Sequence, residues 1–104
     1  IADAFKKNNK IDGIFAVNEI YAGAALRVLR KLGKVIPQDV ALICFTDGLI
    51  SRYSYPSLTT VKQHAEEIGK AAAGKLIERL ENDDDNLKYE QKVIKSVIIE
   101  REST

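Results

Sequence analysis

Two short apolar runs flank a stretch of helical spacing, and this order restricts the possible folds more than any other feature. Ile14 to Val17 is continuously apolar, as expected of a strand covered on both faces, and Asp12-Gly13 before it is a turn signal. From about Ile20 to Leu32 the apolar residues fall at helical spacing. Tyr21, Ala25, Val28, Leu29 and Leu32 form one stripe, and Ala22, Gly23 and Leu26 form a second, smaller one. Two stripes predict two neighbours, the helix's own sheet and something else. Gly33 stops the helix and Pro37 prevents its continuation. Val40 to Phe45 is a second buried strand. Strand, helix and strand within about 35 residues make a βαβ unit, whose parallel strands are joined by a right-handed crossover in almost all cases.

The rest of the chain fits an α/β class. Ile1 to Lys7 reads as the end of a helix, with Ile1, Ala4 and Phe5 on one face. After Asp47-Gly48, the stretch "LISRYSYPS" reads as a loop. Leu58 to Lys62 is β-branched and reads as a third strand. Ala65 to Glu81 is a clear helix with Ile68, Ala72, Leu76 and Leu80 on one face, and Glu66 and Glu67 sit in its first turn, where the dipole favours acids. Asn82 to Asn86, "NDDDN", reads as a solvated acidic loop. Val93 to Arg101 is strand-like: Val93, Val97 and Ile99 alternate with polar residues, and Ile94 and Ile98 face the other way.

Bulk composition excludes several classes of function. With 104 residues, 45% apolar and 30% charged, the chain has ordinary globular composition and length for one core. Its formal net charge of +1 gives no strong electrostatic grip on nucleic acid or an acidic membrane. The single cysteine, Cys44, forms no internal disulfide and argues against a secreted disulfide scaffold. No apolar run reaches the roughly 18 residues of a membrane span.

The chemistry-bearing residues cluster where the strands stop. Ligands in open parallel α/β sheets bind outside the carboxyl ends of the strands. Asn18 and Glu19 follow the first strand, Asp47 the second and Gln63 the third. Amides both donate and accept, and carboxylates accept, so together they suit a ligand rich in hydroxyls or ring nitrogens. The same residues also have local uses: Asn18 is a good helix N-cap, Glu19 suits a helix dipole, and Asp47-Gly48 is an ordinary turn pair. Other chemistry is poorly served. Cys44 sits inside an apolar run, as a structural thiol does. His64, the only histidine, lacks a partner at metal spacing, and the acidic run lacks the pattern of a calcium loop. No phosphate-binding glycine motif or nucleophile elbow is present, and Ser54, Ser57, Thr59 and Thr60 have no nearby base. An enzyme is not indicated, and neither a metal nor a cofactor is expected.

Asp12 to Asp47, "DGIFAVNEIYAGAALRVLRKLGKVIPQDVALICFTD", resembles the sugar-responsive repressors of the lactose/galactose repressor (LacI/GalR) family. Tyr55 to Ile77 and Val97 to Ser103, "VIIERES", continue the resemblance over nearly the whole chain. It implies the C-terminal portion of a parallel-sheet α/β domain of periplasmic-binding-protein-like (type I) fold. Such a domain senses a small polar effector, sugar or nucleobase-like, in a cleft between two subdomains joined by three crossovers. Operator DNA is read only by an N-terminal helix-turn-helix that this chain does not include. The resemblance further implies a cytoplasmic homodimer with no membrane role. The runner-up of the same fold is a periplasmic sugar-binding protein of a transporter. Asn18-Glu19 matches the family's Asn-Asp pair, and Gln63 matches the Gln after Leu-Thr-Thr. In Cys44-Phe45-Thr46-Asp47, either Thr46 or Asp47 takes the cleft position of the family's Gly-aromatic-Asp turn. Ala22 and Leu26, with Tyr53 and Tyr55, match regions that pair subunits. The 65–81 helix is expected to belong to the other subdomain of the intact protein.

Overall fold

The computed structural model describes residues 1–82 and 89–104. They divide into two units, Ile1–Lys62 with Val97–Thr104, and Gln63–Ser96. The expected acidic loop lies, beyond Asn82, outside the described residues.

In the first unit, helix α1 (Ala2–Lys7) precedes β1 (Gly13–Ala16), α2 (Glu19–Lys31), β2 (Ala41–Phe45), α3 (Leu49–Tyr53), β3 (Thr59–Lys62) and β4 (Val97–Ile99). The sheet order is β1-β2-β3-β4. β1 pairs with β2 in parallel, Ile14 beside Leu42, as the strand–helix–strand pattern requires. β2 pairs with β3 in parallel, Ile43 beside Thr59, and β4 runs antiparallel to β3, Val61 beside Ile98. The second unit contains α4 (Ala65–Glu81), at the bounds read from its periodicity.

Three expectations are corrected. The first concerns the faces of α2. Ala22, Ala25, Leu26 and Leu29 are its buried residues, and Ala22 and Leu26 pack in one cluster with Ala16, Leu42, Cys44 and Leu58. Ala22 and Leu26 therefore do not form an outward stripe, while Tyr21 of the other stripe is 60% exposed. The 22-25-26-29 set is a complete i, i+3, i+4, i+7 face whose two alanines allow close approach to the sheet, and it leaves the Tyr21 phenol in water. The second correction is that the 49–57 segment is not all loop, because Leu49–Tyr53 forms α3. The third is that the last strand is only Val97–Ile99, not Val93–Arg101.

The C-terminal residues leave the ladder because side chains take over its hydrogen bonds. The Arg101 amide donates to Thr59 Oγ1 at 2.9 Å. Ser103, fully buried, then bridges β2 and β3. Its carbonyl accepts from the Leu42 amide at 2.8 Å, its hydroxyl donates to the Leu42 carbonyl at 2.5 Å and accepts from the Thr59 amide at 2.8 Å. Three buried backbone groups are thus satisfied at the place where β2 and β3 are not yet paired.

Because Leu26 is core and not surface, Leu26→Ala should destabilise the fold by about 2–5 kcal/mol, the range for a leucine truncated in a packed interior. Urea denaturation measures this, and a change below about 1 kcal/mol would place Leu26 at the surface after all.

Candidate functional site

β1 and β2 are parallel and adjacent, so the residues that follow them emerge at the same end of the sheet. Those residues are Asn18 and Thr46. Asn18 caps α2: its Oδ1 accepts from the Tyr21 amide at 3.0 Å. Its exposed amide NH2 has no partner among the described residues. Thr46 is partly buried. Its carbonyl accepts a weak contact from Cys44 Sγ at 3.6 Å, while its hydroxyl makes no hydrogen bond among the described residues. Gln63 directly follows β3 and opens the second unit.

Both carboxylates singled out in the sequence are already engaged inside the first unit. Asp47, 6% exposed at its side chain, accepts from three directions. Arg101 Nη2 donates to Oδ1 at 2.5 Å, Thr60 Oγ1 donates to the same oxygen at 3.1 Å, and Arg52 Nη2 donates to Oδ2 at 2.8 Å. Burial pushes this carboxyl up, but the hydrogen bonds from Arg101, Arg52 and Thr60 outweigh it and bring the pKa down to about 2. Arg101 also donates through Nη1 to the Leu58 carbonyl at 2.7 Å.

Glu19, the first residue of α2, reaches across to α3. Its Oε1 accepts from the Ser51 amide at 2.9 Å and the Ser51 hydroxyl at 2.7 Å. Burial pushes the pKa of this group up, yet the bonds from Ser51, Gly48 and Ile50 prevail and hold it below the ordinary glutamate value. Cys44 lies buried nearby. Desolvation pushes the pKa of its thiol up, and the Glu19 charge adds to that.

At this end of the sheet the Asn18 NH2 and the Thr46 hydroxyl, both uncharged, are without a partner among the described residues. Arg101, Arg52 and Ser51 were not assigned a role from the sequence. No spacing rule links Asp47 to a guanidinium 54 residues later, and "LISRYSYPS" gives no helical signal strong enough to place Ser51 against Glu19. Tyr53 and Tyr55 are 83% and 81% exposed. A cavity of about 540 Å³ lined by Arg30, Pro37, Tyr55 and Glu102, among others, lies at the other end of the strands and includes neither Asn18 nor Thr46.

In the second unit no residue of α4 is buried, and Ile68, Leu76 and Leu80 of the expected stripe are exposed. Ile68, Ala72, Lys75 and Ile94 border a groove of about 340 Å³. His64 precedes α4 in the left-handed region, at φ 55°, and gives the helix no side-chain cap. Among the described residues no group of three His, Cys, Asp or Glu side chains is placed to hold a metal ion, and no helix is long and apolar enough to cross a membrane.

The Asp47 pKa carries a stability prediction. Its carboxyl titrates near 2 when folded against an ordinary value of 3.8, so its contribution is complete above about pH 4 and is lost as pH falls through 2. Asp47→Asn should therefore destabilise at neutral pH by about 3–5 kcal/mol, since it strands Arg101 in a largely buried place. The gap between variant and wild type should shrink between pH 4 and pH 2, by about 2 kcal/mol. Urea unfolding at a series of pH values tests this, and a pH-independent gap would refute the ion pair.

Comparison with known proteins places this architecture. Residues 2–104 match the family described as periplasmic binding protein-like domain. The HTH-type transcriptional regulator CelR of Thermobifida fusca is 36% identical over 70 residues, which is 67% of this chain and 21% of that protein. The solved structure of a transcriptional regulator CelR-cellobiose complex superposes with a TM-score of 0.91 at 28% identity, over 99% of this chain and 31% of the other. A periplasmic binding protein/LacI transcriptional regulator from Alkaliphilus metalliredigens, complexed with D-xylulofuranose, superposes at 0.83 with 34% identity, over 98% of this chain and 38% of the other. The chain thus spans about a fifth of the length of that curated relative and about a third of the solved ones. It belongs to the periplasmic binding protein-like domain family, among the regulators of LacI/GalR type.

Proposed function

We propose that this chain is the C-terminal effector-sensing part of a cytoplasmic, DNA-binding regulator, and that the effector is a neutral sugar. The observation that carries the reading is the chemistry at the carboxyl end of the parallel strands. The Asn18 NH2 and the Thr46 hydroxyl have no partner there among the described residues, and both neighbouring carboxylates are engaged by the protein itself. Neutral donors and acceptors suit hydroxyl groups, and a buried charge without a partner would penalise a neutral ligand. The complexes of the relatives with cellobiose and D-xylulofuranose support the same class. Asn18, Thr46 and Gln63 are the proposed contacts, and Thr46, not Asp47, takes the cleft position. The division of the chain at Lys62–Gln63 supports assigning α4 to the other subdomain of a longer protein. A transporter's sugar-binding protein is not favoured, because the relatives are named as transcriptional regulators.

Homodimerisation is part of the proposal, on a face that keeps the exposed Tyr53 and Tyr55 of the sequence reading but not Ala22 and Leu26. Ala22 and Leu26 are buried within the chain and leave that role to exposed apolar residues. Ile20 and Tyr21 on α2 and Leu49, Ile50 and Tyr53 on α3 are all exposed, and aromatic residues are enriched at interfaces. α2 and α3 lie close together: a Cβ on Gly23 would stand 3.9 Å from Ile50 Cγ2.

The full-length protein should bind one sugar of a panel of cellobiose, lactose, ribose and xylulose in titration calorimetry. Thr46→Val, which keeps the shape and removes the hydroxyl, should weaken that binding about tenfold, the loss of roughly one hydrogen bond. Unchanged affinity would remove Thr46 from the site. Light scattering after size exclusion should find a dimer that Tyr53→Asp dissociates. A wild-type monomer at micromolar concentration would overturn the dimer proposal.

A further inference from the structure

Gly48 poses a question of its own. Its φ of −102° and ψ of −163° are extended, a conformation open to any residue, so the backbone gives no reason for glycine. Space does. A Cβ at this position would run into the Glu19 carboxylate, colliding with all three of its terminal atoms. The carboxylate occupies the place of the missing side chain and meets the Ser51 amide and hydroxyl there. Ser51 is fully buried, and its carbonyl accepts from the Leu58 amide at 2.8 Å, ahead of β3. The start of α2 is thus tied to the start of α3 by one side chain, with Gly48 leaving room and Ser51 as the receiver. The turn that begins at Thr46 carries both ties, Asp47 to Arg101 and Ser51 to Glu19.

We infer that Glu19 is a positioning residue of the effector site: it fixes the Thr46–Ser51 turn through Ser51 and does not itself touch the effector. An oxygen already bonded to two buried donors has little left for a ligand, and breaking those bonds would leave the Ser51 amide buried and unpaired, while its hydroxyl would keep only the Gly48 carbonyl at 3.0 Å. A direct ligand contact would make the Glu19 charge essential. A positioning role needs only an acceptor oxygen at the Oε1 place, which glutamine supplies. The role in sugar binding rests on the effector reading above, whereas the clasp itself does not, and the two are tested by separate measurements.

The first measurement is hydrogen–deuterium exchange on the full-length protein, followed by mass spectrometry of peptides covering residues 44–54. Glu19→Ala and Gly48→Ala should each speed exchange there by tenfold or more. Glu19→Gln should stay within about threefold of wild type. The double variant Glu19→Ala with Gly48→Ala should be no worse than Glu19→Ala alone, because the added methyl then has the vacated space. Wild-type exchange in Glu19→Ala, or additive losses in the double variant, would overturn the clasp. The second measurement is calorimetry with cellobiose as the probe. Binding should fall about tenfold in Glu19→Ala and be restored to within threefold by Glu19→Gln. It should fall no further when Ser51→Ala is added to Glu19→Ala. If glutamine is as harmful as alanine while exchange is normal, Glu19 contacts the ligand and the positioning role is wrong. A wild type that ignores cellobiose counts against that sugar as effector, and the exchange result then decides the clasp.

Discussion

The carboxylate of Asp47 is the constraint on which the first unit depends. It stands just past the end of β2 and is reached by groups from β3, from α3 and from the residue after next beyond β4. A buried ion pair of this kind is weak evidence for net stability, since two charges must leave water. Its consequence is geometric. Once Asp47 is buried, Arg101 and Arg52 must come to it, and the chain ends that carry them are fixed. Arg101 in turn spends a second nitrogen on the Leu58 carbonyl, so the C-terminal segment is also anchored at the entry to β3.

That anchoring explains how so short a strand as β4 holds its place. Three residues of antiparallel pairing would be marginal alone. Beyond them, Ser103 completes the hydrogen bonds of Leu42 and Thr59, and Glu102 accepts from the Ser57 amide and hydroxyl at 2.8 and 2.9 Å. The tail behaves as a strand substitute built from side chains. Above it, Phe15 and Phe45 meet edge to face with centroids 6.4 Å apart on the sheet face opposite α2, where Phe15 is 56% exposed.

The use of both carboxylates for support changes the character of the candidate site. Acidic residues after strand ends suggest charge-assisted contacts to a ligand. Here the Asp47 charge is paired with two guanidinium groups, and the Glu19 carboxylate is hydrogen-bonded by the Ser51 amide and hydroxyl, before any ligand arrives. Within the first unit, the Asn18 NH2 and the Thr46 hydroxyl are left without a partner among the described residues, and both are uncharged groups that suit hydroxyls.

The order of elements was legible in the sequence because periodicity and punctuation are local. Asp12-Gly13, Gly33 and Pro37 bracket α2 and its two strands, and each acts within a few residues of itself. The parallel pairing of β1 and β2 follows from the length of the crossover alone. Which side of α2 faces the sheet was not legible. Two overlapping apolar stripes compete, and only packing decides that small Ala22 and Ala25 lie inward while Tyr21 keeps its hydroxyl in water. The same limit applies to Glu19 and Asp47. Their type and place after a strand could be read from the residues, but their partners, Ser51 and Arg101, stand 32 and 54 residues away. Hydrogen bonds over such separations are set by how the elements come together in space, so the sequence determined which groups stand at the strand ends, and the tertiary structure decided which of them are still free.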